Sequence, residues 1–74
     1  MSAEQLAVFI QSQPGLQGGS PVFRGTRVPV QSLFDHLEAG ESIEDFLEGF
    51  QTVKREQIVG FLEVLRKEAL SRVA

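Results

Sequence analysis

The chain has 74 residues and a formal net charge of −3 at pH 7, with no cysteine and one histidine. This composition excludes disulfides and thiolate metal sites and argues against a zinc site, so we expect no metal and no cofactor. A chain this short buries only roughly 60% of its unfolded surface, and its apolar runs fall far short of the roughly 20 residues of a membrane span. We therefore expect one small cytoplasmic protein without a membrane partner, which gains stability as a homodimer.

The first predicted element is an N-terminal helix. Apolar residues at helical spacing predict a helix over residues 3–12, within an N-terminal segment of residues 1–13. These apolar residues are Leu6, Phe9 and Ile10. A stretch rich in glycine and proline predicts a loop over residues 14–20. Residues 14–74 are predicted to form the main domain.

The second predicted element is a β-hairpin over residues 21–29. Two short β-prone runs, Val22-Phe23 and Val28 to Val30, flank Gly25-Thr26 at the spacing of a tight turn. The glycine of that pair supplies the positive φ that such a turn requires, and prolines near both ends keep the arms short. A hairpin of this size is unstable by itself, so we expect it to pack on the helices or to pair with a second copy.

Three helices are predicted after the hairpin. Apolar spacing predicts a helix over residues 30–39, which ends at Gly40. The Ser42 and Asp45 pair is a capping signature, and it predicts a short helix over residues 43–49. The predicted core consists of the aromatic residues of the helical stripes, namely Phe34, Phe46, Phe50 and Phe61.

The last and longest helix is predicted over residues 54–71. Gly60 lies in its interior, where glycine costs roughly 1 kcal/mol relative to alanine, so we expect another backbone to approach closely there. The predicted fold class is mainly α: a small tri-helical helix-turn-helix domain with an N-terminal helix and a short β-hairpin.

The last two helices have helix-turn-helix proportions, in which the N-terminal residues of the second helix enter the major groove of DNA. Lys54 and Arg55 oppose the dipole of that helix, which a phosphate would compensate, and Gln57 lies in the same turn. The alternative is that Glu44 and Glu48 of the neighbouring helix are the partners of these cations.

Two further cations, Arg24 and Arg27, flank the predicted hairpin turn. They are candidates for holding a phosphate or for reaching a minor groove. The alternatives are that they pair with acidic residues of the same chain or form a dimer interface. The predicted DNA-binding residues are Arg24, Thr26, Arg27, Lys54, Arg55 and Gln57.

The middle of the chain is strongly acidic, because residues 35–50 carry six acidic side chains and no lysine or arginine. Glu44, Asp45 and Glu48 are the predicted surface for a basic protein partner, so the alternative function is an interaction module that binds no DNA. The acids are spaced like a solvated helix face, and His36 is interpreted as a helix-end residue. We therefore predict no enzyme.

The run from Gly19 to Val30 has the pattern Gly-x-Pro-x-x-x-Gly-Thr-Arg-x-Pro-Val. With the Ala39-Gly40 helix end and the final helix, this pattern resembles the small prokaryotic family called domain of unknown function four-three-three. The resemblance implies a homeodomain-like helix-turn-helix and an antitoxin encoded beside a PIN-like nuclease toxin. It therefore implies two activities, DNA binding for autoregulation of transcription and neutralisation of the toxin.

Overall fold

A computed structural model describes residues 3–12 and 20–73 of the chain. The described part is mainly helical, with a two-stranded antiparallel sheet, which confirms the predicted fold class. In chain order the elements are α1 (Ala3–Ala7), β1 (Ile10–Ser12), β2 (Pro21–Phe23), α2 (Val30–Glu38), α3 (Ile43–Gly49) and α4 (Arg55–Val73). None of the described helices is both long and apolar enough to cross a membrane.

The connection between α2 and α3 follows its predicted capping chemistry. Gly40 adopts a φ of 86°, and the amides of Gly40 and Glu41 donate to the carbonyls of Leu37 and His36, each at 3.0 Å. This is the Schellman arrangement that satisfies the last carbonyls of a helix. Ser42 and Asp45 then form a reciprocal capping box at the start of α3. Both predicted helices are confirmed.

The predicted N-terminal helix over residues 3–12 is wrong in its second half. The helix ends at Ala7, the amide of Phe9 donates to the carbonyl of Leu6, and β1 follows. Cα pairing in the sheet joins Ile10 to Phe23 at one end of β1. Pairing with β2 satisfies backbone groups that a further helical turn would have satisfied, and the apolar spacing alone does not distinguish these outcomes. Apart from Ser20, the predicted loop over residues 14–20 lies outside the described residues.

The hairpin predicted over residues 21–29 forms its tight turn, but its second arm is not a strand. Gly25 has a φ of 80°, and the Phe23 amide donates to the Val28 carbonyl at 3.0 Å. Pairing of the second arm is limited to one bridge, between Val22 and Pro29. Pro29 has no amide to donate, and α2 begins one residue later, so the arm has no room to become a strand. The strand partner of β2 is therefore β1.

Phe23 is the centre of the aromatic core. Its side chain is fully buried and makes edge-to-face contacts with Phe46 and Phe61, with ring centroids 6.2 and 5.7 Å apart. Phe34 and Phe50, which the helical stripes placed in the core, are only partly buried against it. The other buried hydrophobic residues of the cluster are Val28, Val30, Leu33, Val53 and Ile58.

A side chain, and not a backbone, covers Gly60 in α4. A β-carbon built at Gly60 would lie 2.5 Å from Cζ of Phe9, and its three nearest neighbours all belong to that ring. The prediction of a close backbone approach is therefore wrong, although the inference that something packs there is right. The missing side chain leaves the space in which the N-terminal segment docks on α4.

Candidate nucleic-acid interface

The turn at residues 24–26 packs against the first turn of α4, and Gln57 joins the two. Its side-chain amide donates to the carbonyl of Arg24 at 3.0 Å and to the carbonyl of Phe9 at 3.1 Å. Both donor positions of this amide therefore have partners within the chain. Gln57 was predicted to contact DNA, and the structure gives it a role in holding three segments together.

Arg24 is also bonded within the chain. Its Nε donates to the carbonyl of Ala7 at 2.8 Å, and its terminal nitrogens donate to the carbonyl of Ile10 at 3.3 Å and to the side-chain oxygen of Gln11 at 3.2 Å. The planar guanidinium thus bonds the end of α1 and two positions of β1. Neither alternative predicted for Arg24, an acidic partner in the same chain or a dimer interface, describes these contacts.

Thr26 closes the turn. Its hydroxyl donates to the carbonyl of Phe23 at 2.8 Å and accepts from the amide of Val28 at 3.0 Å. Such hydroxyl bonds are typical of serine and threonine in turns. The part-buried hydroxyl of Thr26 therefore has two backbone partners within the turn. Thr26 was predicted to contact DNA, and the structure gives it a role in closing this turn.

Arg55 forms an ion pair with Glu44 of α3, as the alternative interpretation of the α4 cations predicted. The hydrogen bond to this carboxylate, followed by its charge, raises the pKa of Arg55 above its ordinary value. Both side chains are more than half exposed, at 55% and 56%. Exposed pairs of this kind contribute little to stability because water screens both charges, so Arg55 can exchange its partner at little cost.

Arg27 and Lys54 are exposed, and neither forms an ion pair within residues 3–12 and 20–73. They line two open depressions that adjoin at Gly25 and Thr52. The Lys54 depression has a volume of about 490 Å³ and also contains Arg24, Glu56 and Gln57 in its lining. The Arg27 depression has a volume of about 630 Å³ and also contains Thr26, Val28, Pro29 and Phe50.

The electrostatics of this surface are mixed. Lys54 is the residue before α4, and its carbonyl accepts from the amides of Gln57 and Ile58 at 3.0 and 3.2 Å. The Lys54 depression therefore lies at the positive end of the dipole of α4, where an anion is stabilised. Glu56 contributes a negative charge to the same lining.

The predicted acidic surface is partly occupied by bonds within the chain. Glu44 pairs with Arg55, and the Asp45 carboxylate accepts from the backbone amide of Ser42 at 3.1 Å. Glu48 is exposed on the same helix. Within the described residues, no group of three or more histidine and acidic side chains could hold a metal ion.

Residues 10–63 match the family described as Protein of unknown function (DUF433). This match covers β1 through most of α4, and so contains every residue that lines the two depressions except Phe9. The chain belongs to the DUF433 family. The family predicted from the glycine, proline and arginine pattern is thereby confirmed.

A relative of the chain is an uncharacterized protein, y4eO, of Sinorhizobium fredii. The two are 43% identical over 50 residues, which are 68% of this chain and 23% of the relative. The match thus spans less than a quarter of the length of the curated relative. No solved structure matches the chain.

Two residues that line these depressions were not predicted from the sequence to lie at the site. Thr52 and the backbone of Gly25 line both depressions, and neither was predicted to lie at the site. Gly25 has a signal in the sequence, because it stands between two arginines at a turn. Thr52 has no such signal in the sequence, because its position at the site depends on how the α3–α4 connection packs against the turn.

Proposed function

We propose that the chain is a DNA-binding regulator of the antitoxin type, which contacts DNA phosphates through Arg27 and Lys54. One observation carries this proposal. The two cations come from different segments, line adjoining depressions and have no carboxylate partner in residues 3–12 and 20–73. Exposed cations grouped in this way are typical of phosphate contacts, which position a protein on DNA without reading its sequence.

Arg55 supplies a third phosphate contact in this proposal. Its exposed pair with Glu44 is weak enough to be exchanged for a phosphate. Because the Gln57 amide and the Arg24 guanidinium are bonded within the chain, we assign no DNA contact to either side chain.

The biological half of the proposal rests on the resemblance of the motif to antitoxins. It includes autoregulation of transcription, a PIN-like toxin as protein partner and a second copy of the chain. The alternative, an interaction module whose acidic surface docks a basic partner, has weaker support, because the Asp45 carboxylate is already bonded in the capping box of α3.

The test is fluorescence anisotropy with labelled DNA from upstream of the gene, compared with scrambled DNA of equal length at several salt concentrations. The label belongs on the DNA, since the chain has no tryptophan or tyrosine. We expect the double variant Arg27→Gln/Lys54→Gln to weaken binding and to reduce the slope of log K against log salt by about 1.8 per protomer, at about 0.9 per lost phosphate contact.

The matched control is Arg66→Gln/Arg72→Gln, which removes the same charge from exposed positions farther along α4. We expect this control to have a much smaller effect on affinity and on the salt slope. Equal effects of the two double variants would show that DNA binding depends on the net charge of the protein and not on this particular surface. Failure of both DNAs to bind at low salt, with and without the toxin, would refute DNA binding and favour the acidic docking surface.

A further inference from the structure

An open depression lies between α3 and the start of α4. It has a volume of about 400 Å³ and is lined by the charged residues Glu44, Glu48 and Arg55, with Leu47 and Gln51. Two carboxylates therefore share this depression with one guanidinium. Neither of the two depressions described above contains any of these residues.

The position of Arg55 in its helix favours a negatively charged partner. Arg55 is the first residue of α4, where the helix dipole opposes a cation. Glu44 lies in the first turn of α3, where the dipole favours a carboxylate. A terminal nitrogen of the Arg55 guanidinium donates to Oε2 of Glu44. Glu44 therefore neutralises a cation at a helix end that is unfavourable for it.

Glu44 and a DNA phosphate are alternative ligands of the same guanidinium. Arginine binds carboxylates and phosphates through the same N–H donors and in similar geometries. Glu44 therefore occupies donors that a phosphate contact requires. Arg27 and Lys54 differ from Arg55, because neither has an ion-pair partner within residues 3–12 and 20–73.

We infer that Glu44 is an intramolecular competitor of DNA, which lowers the DNA affinity of the chain by holding Arg55 in an ion pair. DNA binding has to replace this pair before Arg55 contacts a phosphate. Both side chains of the pair are more than half exposed, so the effect is an attenuation of binding and not a block. The inference rests on the proposed function, since it requires Arg55 to contact DNA, and it adds a control of that contact from within the chain.

The first test neutralises the competitor. We expect Glu44→Gln to bind the upstream DNA roughly 2- to 5-fold more tightly in the anisotropy assay, the range that follows from the strength of an exposed ion pair. The slope of log K against log salt should also become steeper, by up to about 0.9. In the natural chain the released carboxylate takes up a cation, which offsets one of the cations that DNA releases, whereas glutamine takes up none.

A double-mutant cycle separates competition for Arg55 from general repulsion between Glu44 and DNA. We expect Glu44→Gln to have little effect on DNA affinity in an Arg55→Gln background, because the guanidinium for which the two ligands compete is absent. Arg55→Gln should also weaken binding more in the Glu44→Gln background than in the natural chain. A carboxylate that only repels DNA would give the same gain in both backgrounds.

Two variants are matched controls. Glu63→Gln removes the same charge and releases Arg66 from an exposed ion pair, about 12 Å farther along α4 than Arg55. Glu48→Gln removes the same charge from the same depression, at a residue without an ion pair in the described part of the chain. We expect both controls to change the affinity and the salt slope much less than Glu44→Gln. Far-UV circular dichroism should show an unchanged fold for all three variants, because these carboxylates are partly or mostly exposed.

Failure of the inference is distinguishable from failure of the proposed function. If the natural chain binds DNA and Glu44→Gln binds it no more tightly, the inference is overturned and the proposed function stands. Equal gains from Glu44→Gln with and without Arg55 would overturn the inference in the same way. If Glu44→Gln binds DNA at a salt concentration at which the natural chain does not, both are supported. If neither chain binds DNA at low salt, with and without the toxin, the proposed function fails and the inference fails with it.

Discussion

Two arginines on either side of one turn differ at the scale of single residues. Arg24 bonds two backbone carbonyls and a side-chain amide of the N-terminal segment, whereas Arg27 forms no ion pair in the described part of the chain. The planar guanidinium of an arginine can donate to several acceptors at once in a fixed geometry. The ammonium group of a lysine cannot reproduce this geometry. The two residues have the same charge and flank the same turn in the sequence, so only their contacts in the structure distinguish them.

This difference predicts opposite results for one conservative change. Arg24→Lys keeps the charge but loses the planar set of donors, so we expect it to lower the free energy of unfolding by about 1 kcal/mol, less than the roughly 1.5–3 kcal/mol of hydrogen bonds to charged groups, because the group is exposed. Amide exchange in β1 should accelerate. Arg27→Lys should change neither quantity. Equal effects of the two variants on stability would contradict a clamping role for Arg24.

The N-terminal segment and α4 depend on each other at the scale of elements. Phe9 lies over Gly60, and its carbonyl accepts from Gln57 one turn earlier in α4. β1 adds backbone pairing with β2 on the other side of the segment. Gly60 therefore weakens α4 by its low helix propensity, but its lack of a side chain allows Phe9 of the N-terminal segment to pack on this helix.

A double-mutant cycle tests this dependence. Gly60→Ala gains about 1 kcal/mol of helix propensity but displaces the Phe9 ring, so we expect a net loss of stability in the natural chain. In a Phe9→Ala background the ring is absent, and Gly60→Ala should raise the free energy of unfolding by about 1 kcal/mol. Urea unfolding followed by circular dichroism gives all four values. A change of the same sign in both backgrounds would contradict the packing.

At the scale of the whole molecule, one aromatic side chain joins the sheet to the helices. Phe23 belongs to β2, pairs with Ile10 in the sheet and contacts rings from α3 and α4. His36 of α2 adds edge-to-face contacts with Phe46 and Phe50, at 5.4 and 5.7 Å between centroids. The short strands are stabilised by this contact and not by their own pairing, since an isolated two-stranded sheet is marginal in water.

Phe23→Ala should therefore remove a large part of the free energy of unfolding of the whole molecule. Truncating a buried phenylalanine costs about 3–5 kcal/mol, and a chain of this length has a stability of only about 4–11 kcal/mol at typical values per residue. We expect a large fall in the thermal midpoint, measured by circular dichroism. Phe50→Ala, at a partly buried position, is the control and should cost much less. Comparable losses at the two positions would contradict a central role for Phe23.

The helices from α2 onward could be predicted from the sequence because their signals are local. The Gly40 helix end and the Ser42–Asp45 capping box involve residues within five positions of one another, and the structure reproduces both. The positive φ of Gly25 is local in the same sense. The family was also readable, since its pattern lies within one continuous run.

The pairing of β1 with β2 was decided only by tertiary structure, because the helical spacing of the apolar residues 6, 9 and 10 contains no information about a partner strand elsewhere in the chain. The same holds for the predicted DNA-binding residues. Their charges are set by the sequence, but contacts between residues distant in the chain, such as Phe9 and Gln57, decide which of these side chains are bonded within the fold. Local chemistry thus determined the helices and their ends, whereas long-range contacts determined which side chains remain available to a partner.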